Sequence, residues 1–259
     1  MSNYSPRHHR VVTVSRVLDI HPEFGTVGLA LAAPLAAYAV VGEPIVGHRY
    51  YARLKRERER DPGALLRFYR LTLSIEWAWT ALVAIIVVVA PGLSAASVGV
   101  GLPGGRHLPV ALGFTASLAV SVAVSVVILR RLAAAGKAVP GQGAASALLP
   151  GTSAERGLAV AVSLTAGICE EVLYRGLLVA LLVDLLGLPI VPAAIVAVVV
   201  FAVAHAYQGP AGMLATGLLG AVLAALYVAT GSLLLPILVH VLVNLRGLVL
   251  VPPVEPHSR

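Results

Sequence analysis

Residues Gly157–Leu186 read GLAVAVSLTAGICEEVLYRGLLVALLVDLL, and this stretch decides how the chain folds. It is longer than the roughly 20 apolar residues a helix needs to cross a bilayer. Inside it stand two adjacent carboxylates, Glu170 and Glu171, followed by Arg175, with Asp184 near the far end. A charge at the middle of a membrane helix costs about 2.5–3.5 kcal/mol on insertion scales, so such residues are paired or functional. Three so close together are not lipid-facing accidents.

The remainder of the chain agrees with a membrane setting. Of 259 residues, 58% are hydrophobic and 12% charged, and the mean hydropathy is +0.90. Several runs pass the threshold for a spanning helix, and they are continuously apolar rather than alternating, which disfavours a β-barrel. The chain reads as all-α, a polytopic transmembrane helical bundle. The net charge of +7 follows from the positive-inside bias and does not call for nucleic acid. A single cysteine, Cys169, excludes an intramolecular disulfide. The N-terminal stretch Met1–Gly25 is polar and lacks the short apolar core of a removable signal peptide.

Taken in order, the chain divides into a polar tail (1–24), a scaffold of membrane helices (25–150), a membrane domain that holds the conspicuous ionisable residues (151–251) and a C-terminal tail (252–259). The first apolar run is Gly25–Gly47, with Glu43 near its end. A basic block follows, His48–Arg70, which reads as a solvated cytoplasmic loop. Leu71–Ala90 is the second span, where Glu76, Trp77 and Trp79 suit an interfacial anchor, and Pro109–Leu129 is the third. The fourth is Gly157–Leu186, tilted or with its first turns in water; the fifth is Ile190–Tyr207. The sixth, Ala211–Ala229, carries Gly212, Thr216, Gly220 and Ala224 at four-residue spacing, a ridge for close helix contact. The seventh is Leu233–Val251. Seven spans with the N-terminus outside fit the charges.

The first three spans are expected to hold no ionisable residue near mid-membrane. The last four hold Glu170, Glu171, Arg175, His205 and His240, with Asn244 alongside. Glu171 and Arg175 lie four apart and share a helix face, so they can pair. Glu170 points about 100° away, which leaves it as a free acid. His240 and Asn244 also share a face. Pro236, four residues earlier, is expected to disturb the helix there and free backbone groups. Two histidines on different helices and a free carboxylate on a third suit a functional site more than packing alone.

The stretches Glu-Glu-Val-Leu-Tyr-Arg, Phe-Ala-Val-Ala-His and His-Val-Leu-Val-Asn resemble the EExxxR, FxxxH and HxxxN motifs of the CPBP intramembrane proteases. That family includes the type II CAAX prenyl endopeptidases and bacterial Abi proteins. The resemblance covers about Ala154–Leu250 and all three motifs in order. It implies an intramembrane endopeptidase of eight spans with a conical cavity open to the cytoplasm. Its catalytic residues would be Glu170, Glu171, His205, His240 and Asn244, supported by Arg175 and Phe201. For peptide hydrolysis Glu170 would activate water and return its proton to the leaving amine, His205 would orient the water, and His240 with Asn244 would hold the carbonyl oxygen. No cofactor is firmly expected. The family is called a metalloprotease family, and bound zinc would take Glu170, His205 and His240. Against zinc, His-Glu-x-x-His is absent and each histidine stands alone on its helix. The implied partners are the lipid bilayer and a membrane-associated peptide or protein substrate, without nucleic acid. The Ala-, Val-, Leu-, Gly- and Arg-heavy composition points to a bacterial plasma membrane. A haem-binding protein, a proton-coupled transporter and a non-catalytic Abi-type scaffold are the competing readings.

The basic block sets the topology. A cysteine introduced near Asp61, in a Cys169→Ser background, should stay unlabelled by an impermeant thiol reagent in intact cells and become labelled after lysis. Labelling of intact cells inverts the orientation.

Overall fold

The computed structural model describes residues 20–139, 142 and 146–252. Most of the polar N-terminal tail and residues 253–259 of the C-terminal tail lie outside these residues. Among the described residues the chain is helical, with one isolated bridge between Glu23 and Gly92 and no strand.

The helices are α1 (Gly25–Ala37), α2 (Glu43–Glu57), α3 (Ala64–Val89), α4 (Leu108–Ala134), α5 (Ser153–Glu171), α6 (Val179–Leu186), α7 (Ile190–Ala204), α8 (Gly209–Thr230) and α9 (Leu234–Leu245). Wider π-helical turns join α1 to α2 through Tyr38–Gly42 and α5 to α6 through Val172–Leu178, and a third, Arg246–Leu250, extends α9. Sequence chemistry sets the ends. Gly187 at φ +60° and Gly231 at φ +67° close α6 and α8 in the left-handed conformation that glycine adopts without steric cost.

The basic block is not a loop. Helix continues to Glu57, so that Gly25–Glu57 forms one run of 33 residues, and α3 restarts at Ala64. Arg, Lys, Glu and Leu are good helix formers, Lys55 and Arg56 suit the negative end of the helix dipole, and Arg53 pairs with Glu57 at 2.8 Å. The reversal falls at Asp61-Pro62-Gly63. There Asp61 accepts from the Gly63 amide at 2.7 Å and from Arg67. Arg67 first, and the Gly63 amide second, hold the Asp61 carboxyl below its usual value.

Four runs are long and apolar enough to cross a membrane: Gly25–Glu57, Ala64–Val89, Leu108–Ala134 and Ala206–Thr230. Two more, Ile190–Ala204 and Leu234–Leu250, are apolar but shorter. Large apolar side chains face outward from them, Val88 at 84% exposure, Val110 at 72% and Leu214 at 65%. Soluble proteins rarely expose contiguous apolar area of this extent. The chain is an integral membrane protein.

At the centre lies the stretch quoted first. Helix α5 packs between α3 and α9, while α7 packs on α8. The main apolar core gathers Leu173, Tyr174, Leu177, Val179, Phe201 and Tyr227, with exposures of 2% or less. At one end of the bundle the connections are tied by backbone bonds, Leu233 N–H to Gly99 O at 2.9 Å and Gly104 N–H to Thr230 O at 3.0 Å. At the other end lie the C-terminus of α2 and the N-termini of α3 and α5, with their arginines.

There Thr152 and Glu155 form a capping box that starts α5. Glu155 also receives Arg58 at 2.9 and 3.0 Å and the Gly151 amide at 2.8 Å, so the hairpin after α2 is clamped to the foot of α5. The first turn of α5 is exposed around Glu155, as expected of a helix that begins in water. Burial alone would raise the Glu155 carboxyl, but the Gly151 amide and the Arg58 guanidinium outweigh it and hold the group below its ordinary 4.5.

A carboxyl depressed by folding adds stability above its unfolded value, and that contribution disappears as pH falls through the folded value. Glu155→Gln should therefore destabilise the protein at pH 7, by about 1.5–3 kcal/mol for lost charged hydrogen bonds. It should also flatten the loss of stability below about pH 4.5. Thermal denaturation of both proteins across pH 3–7 checks this; parallel curves refute the clamp.

Candidate active site

Close helix packing creates the site. At Gly167 an added Cβ would overlap the Val241 side chain and lie 3.0 Å from the Val241 amide nitrogen. Only glycine lets α5 and α9 approach this far, and the approach delivers His240 to Glu171. The Nδ1 of His240 lies 2.8 Å from Glu171 Oε1, and the same oxygen accepts from Arg175 Nη1 at 2.8 Å. Because Glu171 is hemmed in by helices and carries charge against Arg175, it is the acceptor, and Nδ1 of His240 is the protonated nitrogen.

Arg175 is fully buried and held from three directions through its terminal nitrogens and its face, while its Nε makes no hydrogen bond. Its second terminal nitrogen donates to the Gly220 carbonyl at 3.1 Å, and its guanidinium stacks 4.4 Å from the centre of the Phe201 ring. A side chain at Gly220 would crowd both, with an added Cβ 3.0 Å from Phe201 and 3.1 Å from Arg175. The small-residue ridge of α8 thus has its purpose at Gly220. Its lower end does not serve helix contact: Gly212 lies under the Gln208 side chain, and Thr216 reaches Gln208 at 3.5 Å.

Phe201 is an aromatic hub. Its ring meets Tyr174 at 5.1 Å, His205 at 4.7 Å and, edge to face, His240 at 5.9 Å. His205 terminates α7, and its Nδ1 lies 2.9 Å from the Phe201 carbonyl. A carbonyl can only accept, so Nδ1 carries the proton and Nε2 keeps its lone pair.

Glu170 behaves differently from its neighbour. It is 15% exposed, its Oε2 makes no hydrogen bond, and it stands 3.7 Å from His240 Nε2. Glu170, His205, His240 and Asn244 all line one cavity of about 430 Å³. The cavity lining also includes Tyr69, Leu148 and Arg246. All seven residues singled out from the sequence are therefore gathered here, Glu171 and Arg175 as a buried pair behind the wall.

Two expectations fail. Pro236 occupies the first turn of α9, where its missing N–H costs nothing, so it begins the helix rather than disturbing it. The first three spans are not free of ionisable groups at depth, since Glu43 and Glu76 line the cavity too. Glu76 is only 6% exposed and is no interfacial anchor. Helix α3 starts at Ala64 rather than Leu71, which sets Glu76 about 18 Å from the helix start. Glu43 is likewise far from Glu57, where the first helical run ends. Trp77 instead bonds across to α5, its indole N–H donating to Thr165 at 3.1 Å. The available signal was an acid inside an otherwise apolar run.

The zinc ligand set does not converge. Among the described residues no three His, Cys, Asp or Glu side chains come together as a metal site. Nδ1 of both histidines is held by the Phe201 carbonyl and Glu171, which leaves Nε2 for any ligand, but Glu170 meets His240 and no third ligand joins them. The residues present do not fit the metal.

Residues 153–246 match the sequence model of the family described as type II CAAX prenyl endopeptidase Rce1-like. This segment belongs to that family. The match runs from Ser153, the first residue of α5, to Arg246 and so contains all three motifs. No curated protein and no solved structure matches the chain. The Rce1-like family is one of membrane-embedded proteases, so the match implies hydrolase chemistry of that general kind for residues 153–246. Glu43 and Glu76 lie outside the Rce1-like segment.

Glu171 and Arg175 are at most 1% exposed, and removing one member of such a pair strands the other, a loss of about 3–5 kcal/mol. Glu171→Ala and Arg175→Ala should each lower the melting temperature and folded yield, measured after purification in detergent. Wild-type melting in both variants contradicts the supporting role.

Proposed function

We propose that the protein is an intramembrane endopeptidase that hydrolyses a peptide bond close to the cytoplasmic membrane face, using water activated by Glu170. The carrying observation is the division of labour between adjacent carboxylates. Glu171 is closed off behind the wall, its Oε1 shared by Arg175 and His240, whereas Glu170 lines the cavity beside His240, is 15% exposed and forms no ion pair with an arginine.

Hydrolysis needs a base for the water, donors for the oxyanion and an acid for the leaving amine. A water between Glu170 and His205 would give one proton to Glu170 and be oriented by the lone pair on His205 Nε2. As it attacks the carbonyl carbon, negative charge grows on the carbonyl oxygen. The Asn244 amide is the neutral donor to that oxygen. His240 Nε2–H is a second donor when its ring carries both protons, since Nδ1 stays bound to Glu171. Glu170 then passes its proton to the amine, the C–N bond breaks, and the carboxylate is regenerated. Arg175 holds Glu171 and Phe201 and touches no reacting atom.

The orientation rests on charge. The cavity mouth shares its end of the bundle with Arg58, Arg67, Arg156 and Arg246, the side that the positive-inside rule assigns to the cytoplasm.

Glu170→Gln keeps size and hydrogen bonding but removes the base, and should lower the cleavage rate by at least about 10²–10⁴-fold, the usual worth of general-base catalysis. The check is cleavage by purified protein that shows the wild-type melting temperature. Substantial residual turnover in a pure preparation removes Glu170 from that role.

A further inference from the structure

The hydrolytic mechanism leaves two cavity carboxylates without work. Glu43 on α2 and Glu76 on α3 line the same cavity as Glu170, and each of the three acts electrostatically on another. Glu76 is buried, and its Oε2 finds no hydrogen-bond partner. Glu43 accepts a hydrogen bond from the Tyr38 hydroxyl, but among the described residues no Lys or Arg forms an ion pair with either acid. The one buried guanidinium nearby, Arg175, is committed to Glu171 and the Gly220 carbonyl. Arg246, at the cavity rim, donates to Ser125.

A buried carboxylate without a partner is costly, and it becomes favourable once a cation arrives. A metal ion does not fit, because no three ligand side chains converge. An organic cation does. Tyr38 and Trp79, with rings 5.2 Å apart, and Tyr174 line the same cavity, and aromatic faces attract ammonium and guanidinium groups. A charged head on a flexible apolar stem can reach past such rings to carboxylates behind them.

We propose that Glu43 and Glu76 form a specificity subsite for a lysine or arginine side chain of the substrate, near the bond attacked at Glu170. The assignment rests on the endopeptidase reading. Because both acids lie outside residues 153–246, substrate choice would be set by the N-terminal half of the chain, and the chemistry by the C-terminal half.

The test uses full-length protein in detergent, carrying His205→Ala so that bound peptide is not consumed. The probes are fluorescent ten-residue peptides of Leu, Ala and Ser, capped at both ends. One lysine is moved along the peptide, with norleucine or acetyl-lysine in its place as controls. At one position lysine should bind about tenfold or more tightly than either control, as expected of a charge-assisted contact. Glu76→Gln and, separately, Glu43→Gln should shrink that ratio toward one. Equal binding of all three peptides at every position, or binding of none, overturns the subsite. The acetyl-lysine control needs no further substitution in the protein, so it decides even if a glutamine variant fails to fold. Failure of the unsubstituted enzyme to cleave any of the peptides would count against the endopeptidase reading, while the binding ratio still decides this one.

Discussion

The buried contact among Glu171, Arg175 and His240 is the constraint on which the rest of the structure depends. One carboxylate oxygen holds an arginine four residues along its own stretch and a histidine from α9. In a medium with few alternative partners, this contact fixes which helices must touch. It requires glycine at Gly167 so that α5 can meet α9, and glycine at Gly220 so that α8 can accept the guanidinium. Phe201 then covers Arg175 and carries both histidines on its ring. The geometry of the candidate site is thus a by-product of satisfying one buried charge pair.

Much of this was legible in the sequence, and the reason is energetic. Ionisable residues are so costly in an apolar run that each one marks a site. Glu170, Glu171, Arg175, His205, His240 and Asn244 could be picked out, and the Glu171–Arg175 pairing followed from helical spacing alone. Helix positions were also readable from the apolar runs, to within a few residues at most ends. What could not be read was depth in the first half. Hydropathy marks where apolar sequence begins, not where helix begins, so the amphipathic turns of α2 and α3 were taken for loop. That error put Glu43 and Glu76 near the surface when both stand in the cavity. Contacts through glycine were equally hidden, because an absent side chain leaves no trace of what lies against it.

The placement of those two acids also revises the division between scaffold and chemistry. The matched family segment contains all three motifs, but the cavity wall is shared with α2 and α3. Helix α3 packs along α5 and brings Glu76 and Trp79 to the cavity, while the Arg58–Glu155 clamp fixes the foot of α5 to the hairpin after α2. The N-terminal helices are part of the enclosure in which any substrate must sit.

The π-helical turn at Val172–Leu178 carries a consequence for register. Such a turn holds one residue more than an α-helix needs for the same rise, so side chains beyond it are rotated by about 100° from where an unbroken α-helix would place them. The face of α6 that meets the core, at Val179, Ala180 and Leu181, is therefore out of phase with the face of α5 that carries Glu170. A helical wheel drawn through the whole of Gly157–Leu186 would assign lipid and protein sides wrongly in its second half. The same extra residue gives this helix two independent orientations within one continuous rod, one turned toward the cavity and one toward the core.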